Sequence, residues 1–244
     1  MNTKGLFLVL MLAAVLTGCG KRPEPRHLVI LIDVSGSIER DALEQAFEAI
    51  DGLVGHLHRG DKIAIIPILG DAQAEASGRI IRFEVPINRQ AYDSDLRSFR
   101  TRLRASLEEM KSTAIAHPGS KTDILGTIAL AQQEFQSATG RSKRMLVILS
   151  DFIQEDRDFN FKTDKRVANR AAANEFATQA SKTSAFDLKG MAVYLGMLRS
   201  KEYPALGRNG REAIQEFWVR YFKHSGAETR FVTDGPSLFQ SAEP

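Results

Sequence analysis

Unbroken apolar runs alternate along the chain with stretches whose apolar residues recur every third or fourth position. The first run, Leu28 to Ile32, lacks alternation and is rich in β-branched residues, which predicts a strand buried on both faces of a parallel sheet. It stops abruptly at Asp33-Val34-Ser35-Gly36-Ser37. Leu43, Ala46, Phe47, Ile50, Leu53, Val54 and Leu57 then mark an amphipathic helix closed by Gly60-Asp61. Lys62 to Leu69 and Ile80 to Ile87 read as strands joined by a turn-rich connection, Gly70 to Gly78. With no helix between them, these two strands are expected to pair antiparallel, because a parallel crossover needs a longer link. Pro67 is out of place in a central ladder.

The second half repeats the alternation. Tyr92, Leu96, Phe99, Leu103, Leu107 and Met110 stripe a long helix whose other face carries Arg97, Arg100 and Arg104, read as a solvated basic row. After the break at His117-Pro118-Gly119, Ile124, Leu125, Ile128 and Phe135 supply the next helix. A second apolar run, Met145 to Leu149, ends in Ser150-Asp151. A helix over Val167 to Ala180, a strand over Leu188 to Leu195, a helix over Glu212 to His224 and a strand over Thr229 to Thr233 complete the pattern. Ile214, Phe217, Trp218, Tyr221 and Phe222 lie at helical spacing and are expected in the core, with Gly226 as the cap. This succession predicts one α/β domain with a doubly wound, mostly parallel six-stranded sheet, one antiparallel strand and helices on both faces.

The chemistry gathers where the apolar runs end. The carboxyl ends of strands in such sheets border the crevice where ligands bind. Asp33, Ser35 and Ser37 offer hard oxygen atoms that suit Mg²⁺ or Mn²⁺. Three short side chains do not complete a coordination shell; Thr122, in the polar loop Gly119 to Asp123, and Asp151 are candidates for the rest. Singly, each of these residues is also what a helix cap or turn would carry.

Taken together in this order, they resemble the metal-ion-dependent adhesion site of von Willebrand factor A-type domains, the fold also of the integrin inserted domain. The resemblance covers residues 27–234. It implies that Ser35, Ser37 and Thr122 contact the metal while Asp33 and Asp151 act largely through bound waters. The cation then keeps most of its charge and takes an Asp or Glu of a protein partner as a further ligand. It also implies that the antiparallel strand lies at the sheet edge. The loop after Asp151, charged and aromatic at once, is expected beside the metal, with Phe152, Glu155, Phe159 and Phe161 helping to select the partner.

Residues 1–18 read as a lipoprotein signal: Lys4, an apolar segment from Leu6 to Leu16 too short to span a bilayer, then Leu16-Thr17-Gly18-Cys19. Cys19, the only cysteine, is expected to carry the lipid, which leaves no internal disulfide. Residues 19–26 form a short linker whose prolines favour extension, reaching ~20 Å at about 3.1 Å per residue. The tether therefore enters at the amino end of the first strand, and the metal site is expected to face away from the membrane. Gly20-Lys21 after the cysteine resembles the pattern for the outer membrane, so the expected location is a bacterial cell envelope, facing the periplasm if the cell is Gram-negative. Residues 235–244 read as a tail. The net charge of +3, one less without Lys4, gives no ground for nucleic acid.

The expected function is therefore binding by a monomeric, lipid-anchored domain, not catalysis. One alternative is a metal-dependent hydrolase in which Asp33 takes a phosphoryl group, as in haloacid dehalogenase-like phosphatases. Those enzymes place a second Asp two residues on, where Ser35 stands here. No Gly-x-Ser-x-Gly elbow or phosphate-binding Gly-x-x-x-x-Gly-Lys loop is present, and His27, His56, His58, His117 and His224 are scattered, as surface or helix-end residues would be. Another alternative is a scaffold that binds through its loops without metal.

Overall fold

A computed structural model describes residues 24–87, 92–137, 142–183 and 186–232. The expected signal, Cys19 and the 235–244 tail lie outside the described residues. In chain order the elements are β1 (Arg26–Asp33), α1 (Arg40–Val54), β2 (Lys62–Ile68), β3 (Ile81–Glu84), α2 (Tyr92–Ala116), α3 (Ile124–Ser137), β4 (Lys143–Ser150), α4 (Arg170–Thr183), β5 (Ala192–Met197), α5 (Gly207–His224) and β6 (Glu228–Val232).

The strands form one six-stranded sheet in the order β3-β2-β1-β4-β5-β6. Only β3 runs antiparallel, at one edge. The helices pack around the sheet, and β1 and β4, the two longest apolar strands, occupy its centre. From Val29 to Ile32 and from Leu146 to Leu149 every side chain is buried, as strands covered on both faces require. Pro67 is accommodated because β3 pairs with β2 only from Lys62 to Ile65. Beyond that point β2 has a ladder on one side alone, where a residue without an N–H is tolerated.

Several boundaries differ from the sequence pattern. Helix α1 stops at Val54, capped by Gly55, and Leu57 reaches the core from the following loop. Strand β3 is four residues long, shorter than the apolar run, because Val85 instead bonds to Asp61 and Gly60. A 3₁₀ turn at Lys165–Val167, capped by the Asp164 side chain, delays α4 to Arg170. The turn at Gly190, with φ 71°, delays β5 to Ala192. Helix α5 begins at Gly207, ahead of its apolar stripe. The basic row of α2 is not simply solvated: Arg104 pairs with Asp51 and Arg100 donates to the Gly55 carbonyl, so both grip α1. His27, expected near the surface, is buried edge-on against Phe135.

Candidate functional site

Strands β1 and β4 are neighbours with Ile32 opposite Leu149, so their carboxyl ends bring Asp33 and Ser150-Asp151 together. Asp33 Oδ1 accepts the Ser35 N–H at 3.0 Å and Oδ2 accepts the Ser150 hydroxyl at 2.6 Å. Ser150 Oγ in turn accepts the Phe152 N–H at 2.9 Å. Asp151 Oδ1 accepts the Ile153 N–H at 3.0 Å, and its Oδ2 is 3.5 Å from the Ser37 hydroxyl that donates to it. The Ser35 and Ser37 hydroxyls are 3.0 Å apart. The Ser200 hydroxyl, which accepts the Tyr203 N–H at 3.0 Å, lies near enough to Asp151 to favour its charged form.

Both carboxylates have no solvent-exposed surface, and among the described residues no Lys, Arg or His pairs with either. Their acidity reflects this. Burial raises the Asp33 carboxyl above its ordinary range, against the pull of its bonds to Ser150 and Ser35. Burial first, and the charge of Asp33 second, push Asp151 up to about 7. Two buried acids that repel each other demand a compensating positive charge or a proton. Among the described residues no three His, Cys, Asp or Glu side chains gather to hold a metal ion. A cation here would therefore depend on the hydroxyls of Ser35 and Ser37 as well as the carboxylates, an all-oxygen set that fits a hard divalent ion.

Two further loops press on this cluster. Gly119 donates to the Val34 carbonyl and accepts from the Gly36 N–H, both at 2.9 Å, which lays the Thr122 loop alongside Asp33 to Ser37. Thr122 is buried, and its backbone exchanges two hydrogen bonds with Glu155. From the other side, Glu39 donates to the Arg199 carbonyl and Lys201 to that of Ser37. Gln154 fixes the arrangement from beneath. Its Oε1 accepts the Ile124 and Leu125 N–H groups at 2.8 and 3.1 Å, capping α3 from a distant loop, and its Nε2 donates to Asp123 and Asp156. Asp123 caps the same helix through the Gly126 N–H.

The loop after Asp151 lies beside the cluster but presents itself differently from the sequence expectation. Phe152 and Phe161, expected to meet a partner, are only 2% and 3% exposed. Phe161 packs on Phe176, Phe217 and Trp218, and Phe152 on Trp218, so the aromatic residues of this loop fold back into the core. Phe159 is partly buried on Phe176, with the Arg166 guanidinium over both rings. Glu155 alone of the four keeps its polar end at the rim, where Lys162 pairs with it and with Glu202. Phe152 adopts φ 63°, a left-handed backbone uncommon for a bulky side chain, and its carbonyl accepts the Trp218 Nε1–H at 2.9 Å.

Ser150, Gln154, Ser200 and Asp123 also belong to the cluster, beyond the residues expected from the sequence. Gln154 left a trace, a lone uncharged polar residue between Phe152-Ile153 and the acidic run. Ser200 left none, since only the close approach of the β5–α5 connection to Ser37 brings it in.

No protein-family model matches this chain, and no curated protein does. Solved structures do match it. The PilB minor pilin from Streptococcus sanguinis aligns with a TM-score of 0.54 at 13% identity, over 91% of this chain and 60% of that one. The two share a fold. Looser likenesses include BatB, a conserved hypothetical protein from Bacteroides thetaiotaomicron, with a TM-score of 0.46 at 18% identity over 89% of this chain and 95% of that one. Another is a von Willebrand factor type A structure from Catenulispora acidiphila, with a TM-score of 0.47 at 15% identity over 89% of this chain and 41% of that one. This chain therefore spans less than two thirds of the pilin and of the Catenulispora structure.

Proposed function

We propose that the chain is a lipid-anchored binding domain of the von Willebrand factor A type, in which Asp33, Ser35, Ser37, Thr122 and Asp151 hold Mg²⁺ or Mn²⁺. One observation carries the reading: Asp33 and Asp151 are buried together among hydroxyls, and among the described residues no cationic side chain neutralises them. A divalent ion bound there would supply that charge and an open position for the Asp or Glu of a protein partner. The rest is the work of the chain. Ser150 and the Ser35 N–H orient Asp33, the Ile153 N–H orients Asp151 with Ser200 nearby, and Gln154 fixes the start of α3 beside Thr122. The pilin that shares the fold is named for a protein assembly, in keeping with a protein-binding role here.

Catalysis finds no support at the same place. The position two residues after Asp33 holds Ser35, whose hydroxyl is no general acid or base. Cys19, on this reading, carries the lipid after removal of residues 1–18, and the domain works in a bacterial cell envelope. The test is Mn²⁺ binding to the full chain in detergent, followed by paramagnetic resonance, with acetate as a stand-in carboxylate. Binding lost in Ser37→Ala and Thr122→Ala and tightened by acetate is expected. An absence of wild-type binding even with acetate would sink the metal and leave a scaffold whose loops bind unaided.

A further inference from the structure

The end of the sheet opposite Asp33 is as specifically built as the site itself. Pro25 accepts the Lys143 N–H at 2.9 Å, and Arg26 is locked to Asp61 by its backbone N–H at 2.8 Å and by its guanidinium at 2.7 and 3.0 Å. Asp61 is buried and takes the His58 N–H as well, and Arg26 also donates to the His56 carbonyl. The chain thus leaves the domain at a fixed point near the centre of this face. Only residues 19–25 separate the proposed lipid from that point, a reach of ~20 Å when extended.

The face around that point is cationic. Lys143 and Arg144 open β4, Lys189 precedes β5, and Lys182 and Lys223 sit in the last turns of α4 and α5. Leu188 donates to the Ser225 carbonyl, which sets Lys189 next to the end of α5. All five side chains are exposed, and among the described residues none forms an ion pair. Of the acidic groups on this side, Asp61 is paired with Arg26, Glu84 with Lys62 and Glu134 with Arg82, while Asp187 and Glu228 stand among the five cations. Lys21 and Arg22 of the linker, set against Glu24, add one net positive charge. Ile87, 66% exposed, stands beside Gly60 together with Pro25, an apolar tip next to the exit point.

We infer that this face lies against the anionic lipid surface of the membrane that holds the amino-terminal lipid, with the five cations drawn to the headgroups and Ile87 toward the interface. The lipid alone holds the chain to the membrane; a basic patch beside it adds attraction to anionic headgroups and decides which face meets them. The orientation that results presents Asp33 and Asp151 away from the membrane. Helix carboxyl ends favour Lys and Arg for their own dipoles, which explains Lys182 and Lys223 singly. It does not explain Lys143, Arg144 and Lys189, which stand at strand starts around the tether.

This inference rests on the lipid anchor proposed above, and one experiment separates the two. Because Cys19 is the only cysteine and is taken up by lipid, a cysteine introduced as Ile87→Cys or Arg157→Cys accepts a fluorophore at that position alone. Each full-length lipidated chain is placed in phosphatidylcholine vesicles with or without phosphatidylglycerol, together with brominated lipid as quencher. Several-fold stronger quenching at position 87 than at 157 is expected, only with phosphatidylglycerol, and it should fade with salt and in a Lys143→Glu/Lys189→Glu background. Equal quenching at both positions, or quenching indifferent to anionic lipid, overturns the face. Flotation with vesicles in high salt reports the lipid by itself. A chain that fails to float there has lost the anchor, and the face is then decided by low-salt flotation: wild type must bind anionic vesicles and the charge-reversed chain must not.

Discussion

The pair of buried acids makes Asp151→Asn a sharp test. In the folded protein Asp151 titrates at about 7 against an ordinary 3.8, and at ~1.4 kcal/mol per pH unit its ionisation costs the metal-free fold on the order of 4 kcal/mol. The sign follows from the raised value. The contribution of this group to stability is complete below its ordinary range and is lost as pH rises to about 7, because the unfolded chain ionises freely while the native one resists. Asparagine keeps an Oδ1 for the Ile153 N–H and can donate to the Ser37 hydroxyl, so geometry is preserved and only the charge goes. In EDTA the variant is therefore more stable than wild type at about pH 8. Its advantage shrinks by ~3 kcal/mol on descending to about pH 5, since two of those pH units lie below the folded value. For a domain of this size that is a change of roughly 6–12 °C in the gap between melting temperatures. Differential scanning fluorimetry at the two pH values reads it directly. Added Mn²⁺ should reverse the order at pH 8 by stabilising wild type alone. A gap of the same size at both pH values, or a variant less stable at pH 8 in EDTA, would refute the reasoning.

Three further outcomes are expected. Gly126→Ala would set a Cβ 2.0 Å from Asp123 Oδ2 and spoil the cap of α3; urea denaturation should show a loss of about 1–3 kcal/mol, with weakened Mn²⁺ binding through the Thr122 loop. Arg26→Ala would leave Asp61 buried without its guanidinium, at a cost of about 3 kcal/mol in the same assay, and the loss should persist in high salt because the pair is largely shielded from solvent. Trp218→Phe removes the donor to the Phe152 carbonyl inside the core; circular dichroism melts should show about 1–3 kcal/mol lost, more than a tryptophan to phenylalanine change costs where no hydrogen bond is broken.

What the sequence made legible follows from how each residue is held. Asp33 and Asp151 could be placed because each ends a five-residue or longer apolar run, and a parallel sheet delivers such ends to one edge. Phe152 and Phe161 were misread because a charged neighbourhood suggests a solvated loop, whereas the chain turns inward at the left-handed Phe152 and returns its rings to Trp218. Gln154 and Ser200 could not be assigned a role, since each acts on groups contributed by distant segments: the start of α3 for one and Asp151 for the other. Boundaries moved where side chains stopped an element that periodicity would have continued, as Asp164 does before α4.

Arg26 and Asp33 are the two ends of one strand, and the consequence is mechanical. A partner gripped beyond Asp33 and a lipid pulling at Pro25 would stretch the domain along β1, the strand flanked on both sides by parallel neighbours in matched register. Tension then shears two ladders at once, and their hydrogen bonds share the load instead of opening one after another as at a peeled edge. Neither the edge strand β6 nor the short β3 lies on that path. Pulled between these points in a force spectrometer, the domain should yield at higher force than when the same pull is applied across β5 and β6; equal forces would show that the central strand is not the line of tension.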